Sequence, residues 1–198
     1  DYIPISFLEY LLHLFYTFSC ITKNKYIHKS DHYKILGYSC RSLFDTIMKY
    51  YTDEKQDLKI ITTPIHHTSF RNIIEKYIKP ENIYILEMNN DYTKIVGVPE
   101  IEVDLCIITH TFGKDLDCSI LQEYRNKHQN CIFIEDRVQG GTLDKLFSHL
   151  FMDVSLYSTG MDKKPCGLGG GFICIRNLHH QMASLGSYIL SNINSYPD

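Results

Sequence analysis

Short apolar runs recur along this chain, separated by stretches of helical character, and that alternation restricts the fold more than any other feature of the sequence. The runs are Ile83-Tyr84-Ile85-Leu86, Leu105-Cys106-Ile107-Ile108-Thr109, Cys131-Ile132-Phe133-Ile134, Val154-Ser155-Leu156-Tyr157 and Phe172-Ile173-Cys174-Ile175, with an earlier one over 58–62. Between or beside them the sequence predicts helices over 40–51, 69–77, 119–127 and 178–193. Strands that are apolar throughout have both faces buried, so the expectation is an α/β domain: a mostly parallel sheet sandwiched by helices. Ligands of such sheets bind outside the carboxyl ends of the strands, which directs attention to the residues just after each run.

At 198 residues the chain is long enough to bury one sizeable core or two modest ones. Its 20 basic against 23 acidic residues, formal net charge -3, give no electrostatic footprint for nucleic acid. The seven cysteines form no Cys-x-x-Cys pair, and several sit in apolar runs as small hydrophobes. That usage points to a reducing, cytoplasmic setting without a zinc ribbon or disulfide scaffold. Residues 2–21 are apolar enough to raise the question of a membrane. Ser6, Glu9, His13, Thr17 and Cys20 draw a polar stripe at helical spacing, however, and Ser6-Phe7-Leu8-Glu9 reads as a capping box, so a packing helix without membrane contact is expected. The domain reading is residues 1–30 as packing helix and connector, and residues 31–198 as the ligand-binding domain.

The strand-end residues are His66 and His67, His110, Glu135 and Asp136, and the segment from Ser158 to Lys164. Gly167-Leu168-Gly169-Gly170-Gly171 fails as a phosphate loop, since Phe172 stands where Lys-Ser/Thr would have to follow. It fails as a dinucleotide fingerprint because a β-rich run, not a helix, comes next. His66 and His67 are adjacent and would face opposite ways on an extended segment, so no metal site is expected.

Taken jointly, these residues resemble the fold-type I pyridoxal-phosphate enzymes, and most closely the DegT/DnrJ/EryC1/StrS sugar aminotransferases. Thr109-His110-Thr111-Phe112-Gly113 is similar to that family's His-x-Tyr-Gly, and Asp117 follows at a family-like spacing. Ile134-Glu135-Asp136-Arg137-Val138-Gln139 is similar to Glu-Asp-x-Ala-Gln. Ser158-Thr159-Gly160-Met161-Asp162-Lys163 with Gly170-Gly171 is similar to Ser-Phe-x-x-x-Lys followed by a Gly pair. The resemblance covers about residues 35 to 176.

The resemblance implies the large domain of an aspartate-aminotransferase-like transferase, with pyridoxal 5'-phosphate as cofactor. Lys163 matches the Schiff-base lysine, with Lys164 the alternative that misses both spacings by one residue. Asp136 matches the partner of the pyridine nitrogen, Gln139 the amide beside the ring hydroxyl, Val138 the packing against one ring face and His67 the aromatic on the other. Ser158, Ser39, Cys40 and Arg41 fall on the phosphate-binding positions, although Tyr38-Ser39-Cys40 departs from the family's Ser-Gly-Thr. The implied reaction is transamination, because a dehydratase branch carries His at the lysine position. The implied partners are small molecules, an amino-acid donor and a nucleotide-linked keto sugar as acceptor, together with a second copy in a homodimer. Family members are roughly twice as long and carry a C-terminal small domain, which is expected to be missing here. The competing expectation is a catalytically inactive or truncated protein that keeps the fold as a binding or structural module.

Overall fold

The computed structural model describes residues 26–28, 32–140, 146–160, 163, 169–176 and 180–192. The expected N-terminal packing helix over 2–21, and Lys164, lie outside the described residues. The elements run β1 (Tyr26–His28), β2 (His32–Gly37), α1 (Cys40–Glu54), β3 (Ile60–Thr62), α2 (Thr68–Tyr77), a 3-10 turn (Pro80–Asn82), β4 (Ile83–Ile85), β5 (Glu87–Met88), β6 (Ile95–Gly97), β7 (Leu105–Thr109), α3 (Leu121–Lys127), β8 (Ile132–Asp136), β9 (Val154–Ser158), β10 (Gly171–Arg176) and α4 (His180–Asn192).

Eight strands make one sheet in the order β1-β2-β10-β9-β8-β7-β3-β4, and β5 and β6 form a separate hairpin. Strands β4, β3, β7, β8 and β9 are mutually parallel. Strand β10 runs antiparallel to both β9 and β2, and β1 antiparallel to β2, so six of the eight strands point the same way. The mostly parallel α/β sheet expected from the apolar runs is therefore present. Strands β1 and β2 were not anticipated: Tyr33-Lys34-Ile35-Leu36 mixes buried and half-buried positions and lacks the long apolar run that marks the central strands. Strand β1 also falls inside the stretch read as connector, 1–30, and belongs to the sheet.

Alternation along the central strands divides the core in two. Leu105, Ile107, Ile132, Ile134, Val154 and Leu156 pack with Leu43, Phe44 and Ile47 of α1, Phe70, Ile73 and Ile74 of α2 and Met182, Leu185 and Ile189 of α4. Cys106, Ile108 and Phe133 pack on the other face with Leu121 and Tyr124 of α3. The central strands are thus covered on both sides. The same alternation sends Asp136 to the α1 face, with Ile132 and Ile134, and Glu135 to the opposite face, with Phe133.

Among the described residues no helix is long and apolar enough to cross a membrane. Cys40, Cys106, Cys118, Cys131 and Cys174 are buried free thiols.

Candidate active site

A cavity of about 520 Å³ opens at the carboxyl ends of the parallel strands. The ends of β3, β7, β8 and β9 and the first turns of α1 and α2 meet there. All nine residues singled out from the sequence line it: Lys163, Asp136, Gln139, His67, Ser158, Ser39, Cys40, Arg41 and Val138.

Helix α1 starts at the cavity because Ser39 forms a reciprocal capping box with Ser42. The Ser39 hydroxyl accepts the Ser42 N–H at 3.0 Å, and the Ser42 hydroxyl accepts the Ser39 N–H at 3.2 Å. The N–H groups of Cys40 and Arg41, which precede any i−4 carbonyl within the helix, form the open end of that turn. The close approach depends on Gly171: a Cβ there would lie 2.4 Å from the Cys40 nitrogen and 2.8 Å from the Tyr157 carbonyl oxygen. Gly170 sits beside it at φ +85, a conformation that disfavours other residues. This is the structural counterpart of the glycine string in the sequence. It admits a helix N-terminus, the arrangement that suits an anion.

Asp136 ends β8 at 3% exposure, and its Oδ1 accepts the Val138 N–H at 2.9 Å. Burial pushes this carboxyl up to about 6, against the Val138 N–H and the charge of Lys163, which favour the ionised form. Burial, with the negative charge of Asp136 adding to it, raises the Cys40 thiol far above its ordinary value, so it stays protonated. The Ser158 hydroxyl accepts the Gly160 N–H at 3.3 Å, and the Lys163 N–H donates to the Gly160 carbonyl at 2.9 Å. Val138 is half-buried and Gln139 exposed, its carbonyl accepting the Gly113 N–H at 2.9 Å.

The two histidines are divided between separate tasks. His67 is exposed and caps α2, its Nδ1 accepting the Ser69 N–H at 3.2 Å. His66 is wedged between two strand ends, with Nε2 at 2.5 Å from Thr62 Oγ1 and Nδ1 at 2.5 Å from Thr109 Oγ1. The Thr62 hydroxyl spends its proton on the Ile107 carbonyl at 3.1 Å, so it accepts from His66. Nε2 therefore carries the hydrogen, and Nδ1 accepts from Thr109. Burial lowers His66 to about 4, which keeps this neutral form across ordinary pH. Sequence reasoning noted His66 only as a strand-end residue. The Thr62–His66–Thr109 brace depends on the register of β3 against β7, which no local pattern states.

On the other face of β8, Glu135 accepts from His110 Nε2 at 2.9 Å, from the Ser148 N–H at 3.0 Å and from the Ser155 hydroxyl. Burial alone would raise this carboxyl, but those donors outweigh it and hold it below its ordinary value. His110 Nδ1 accepts the Leu116 N–H at 2.8 Å, so its ring too is a neutral Nε2–H donor. This network braces the strand ends from behind and does not line the cavity.

Together these features define the fold as that of the pyridoxal-phosphate-dependent transferases, in their large domain of the aspartate aminotransferase type. Among solved structures the chain is similar to an aminotransferase from Psychrobacter cryohalolentis (TM-score 0.67, 13% identity, 100% of this chain and 56% of that one). It is also similar to Helicobacter pylori PseC, an aminotransferase of pseudoaminic acid biosynthesis (0.65, 15%, 91% and 53%), and to H. pylori aminotransferase AspB (0.58, 17%, 82% and 47%). The chain thus spans about half the length of these structures. Lyases and a GDP-4-keto-6-deoxymannose-3-dehydratase share the fold as well. The sequence matches no protein-family model and no curated protein.

Proposed function

We propose that this chain is the cofactor-binding part of a pyridoxal-phosphate-dependent aminotransferase, with Lys163 as the anchoring and proton-transferring amine. The observation that carries the reading is the presence of Lys163 and the buried carboxylate of Asp136 on one cavity, at the start of a capped helix. The cavity volume falls within the range of about 300–1,000 Å³ typical of small-molecule sites. The Val138 N–H meets one oxygen of the buried Asp136 carboxylate, and a protonated pyridine nitrogen is a further donor and cation that would offset the cost of its burial.

Bound there, pyridoxal phosphate would supply an electron sink for the charge left when a proton departs from an amino-acid Cα. Asp136 would hold the proton on the ring nitrogen. Gln139 would donate to the ring hydroxyl, while Val138 and His67 would pack against the two faces. Ser39, Cys40 and Arg41 at the α1 N-terminus, with Ser158, would hold the phosphate, Arg41 adding a charge-assisted contact. The Lys163 amine would take the Cα proton and return it at C4′, acting as general base and then general acid. The donor is an amino acid and the acceptor a keto sugar linked to a nucleotide, in a cytoplasmic homodimer. That finer reading leans on the sequence resemblance and on PseC among the similar folds.

Titration of the purified chain with pyridoxal phosphate tests the proposal. A visible absorption band is expected, with a borohydride-stable adduct that maps to Lys163 and disappears in Lys163→Ala. A folded chain with no band at saturating cofactor would favour the binding-module alternative, and an adduct on Lys164 would move the anchor by one residue.

A further inference from the structure

The loop from β3 to α2 is fastened to the sheet at its start, where Thr63 meets β7. Its N–H donates to the Ile107 carbonyl at 3.2 Å, and its hydroxyl accepts the Thr109 N–H at 3.1 Å. Beyond Thr63, among the described residues, the His66 ring makes the one hydrogen-bonded link between residues 64–67 and the strands, through Thr62 and Thr109. A neutral imidazole suits that link, since it offers one donor and one acceptor at a fixed separation. Thr62 has given its proton to the Ile107 carbonyl and needs the donor, whereas Thr109 supplies a proton to the acceptor. His66 lines the cavity, yet both of its ring nitrogens are engaged by strand hydroxyls. His67 follows with extended backbone, φ -61 and ψ 138, so successive side chains diverge there. With the first ring held against the strand ends, the second is left exposed at the cavity as the cap of α2.

Resting on the reading of the cavity as a pyridoxal-phosphate site, we infer that His66 is a positioning residue: by fastening the β3–α2 loop to the ends of β3 and β7, it sets the place from which His67 meets a bound cofactor. A loop fixed before the ligand arrives has no freedom to lose on binding, which is how preorganisation adds affinity.

The test breaks the link from outside the cavity. Thr62 does not line it, and Thr62→Val keeps the shape of the side chain while removing the acceptor for His66. The Ile107 carbonyl, which the lost hydroxyl served, still accepts the Thr63 N–H. The probe is pyridoxamine 5'-phosphate, which has no aldehyde and forms no bond to Lys163. Thr62→Val is expected to bind it about 2- to 10-fold more weakly than wild type, the range of one net hydrogen bond. Thr62→Ser, which restores the acceptor, should bind as wild type does. In a His67→Asn background, where Asn still caps α2 but the ring is gone, Thr62→Val should change affinity no further, although it lowers the urea midpoint in both backgrounds. Should Thr62→Val not fold, His66→Ala, which leaves both threonines in place, gives the same readings. A lower midpoint with unchanged affinity makes His66 a brace of the fold alone and overturns the inference while leaving the cofactor reading intact. An equal loss of affinity with and without the His67 ring overturns it as well. A wild-type chain that binds neither the probe nor pyridoxal phosphate overturns both.

Discussion

Asp136 and His66 face the same cavity with opposite shifts, and their effects on stability oppose each other. Asp136 is raised from 3.8 to about 6, so between those values the folded chain holds a proton that the unfolded chain has released, and stability falls as pH rises. His66 is lowered from 6.5 to about 4, so in that window the unfolded chain holds the extra proton, and stability rises with pH. Each contributes on the order of 3 kcal/mol at full expression, and in wild type the two nearly cancel. Measured by urea denaturation relative to wild type, Asp136→Asn should gain stability progressively from pH 4 to 6. His66→Asn should lose it over the same range. Parallel slopes in the two variants would mean that the shifts do not arise at these residues. The sequence put Asp136 among the strand-end residues, and its resemblance to the family's Glu-Asp-x-Ala-Gln singled it out. It singled out His67 through the family resemblance and gave His66 no role, because which ring braces the strands depends on threonines from two strands and on the hydroxyl directions between them.

At the scale of elements, the packing of α1 against β10 connects the glycine string to the site. A methyl group at Gly171 would meet only backbone, the Cys40 nitrogen and Cα and the Tyr157 carbonyl, none of which can rotate aside. Gly171→Ala should therefore push the first turn of α1 outward, at a cost of about 1–3 kcal/mol in stability. Because that turn carries Cys40 and Arg41, affinity for pyridoxal phosphate should fall more than stability alone explains. Paired denaturation and binding measurements on the variant separate the two effects. The same clash marks the limit of sequence reading. Four glycines within the five residues 167–171 suggest a loop of some kind, but only the strand pairing of Gly171 with Gly37 and Ser158 reveals that the space is needed for a helix start. The central strands and helices were legible because their periods are strong. Strands β1 and β2 were not, because β1 is a three-residue edge strand and β2 mixes buried and half-buried positions, which carries a weaker pattern.

Over the whole molecule, the two cores clamp the sheet and leave the cavity at the one end where β3, β7, β8 and β9 stop and α1 and α2 begin. Distant segments of the chain therefore meet only at their tips, and a ligand bound among them would link elements that the cores hold at some remove. The fold could be inferred from alternation along the chain, whereas the joining of nine residues from several loops into one cavity required the strand order. Binding free energy adds to stability, by about 2.7 kcal/mol when the ligand is at 100 times its Kd. For a domain of this size that corresponds to a rise in Tm of about 5–10 °C. The protection should not be uniform. In hydrogen exchange, pyridoxal phosphate should slow the amides around 39–43, 109–113 and 136–139 at the cavity most, while α3, which packs on the far face with Phe133, should slow by no more than that global gain. Slowing spread evenly over both faces would indicate a global gain in stability without local contacts, and no slowing at the strand ends would place the ligand elsewhere.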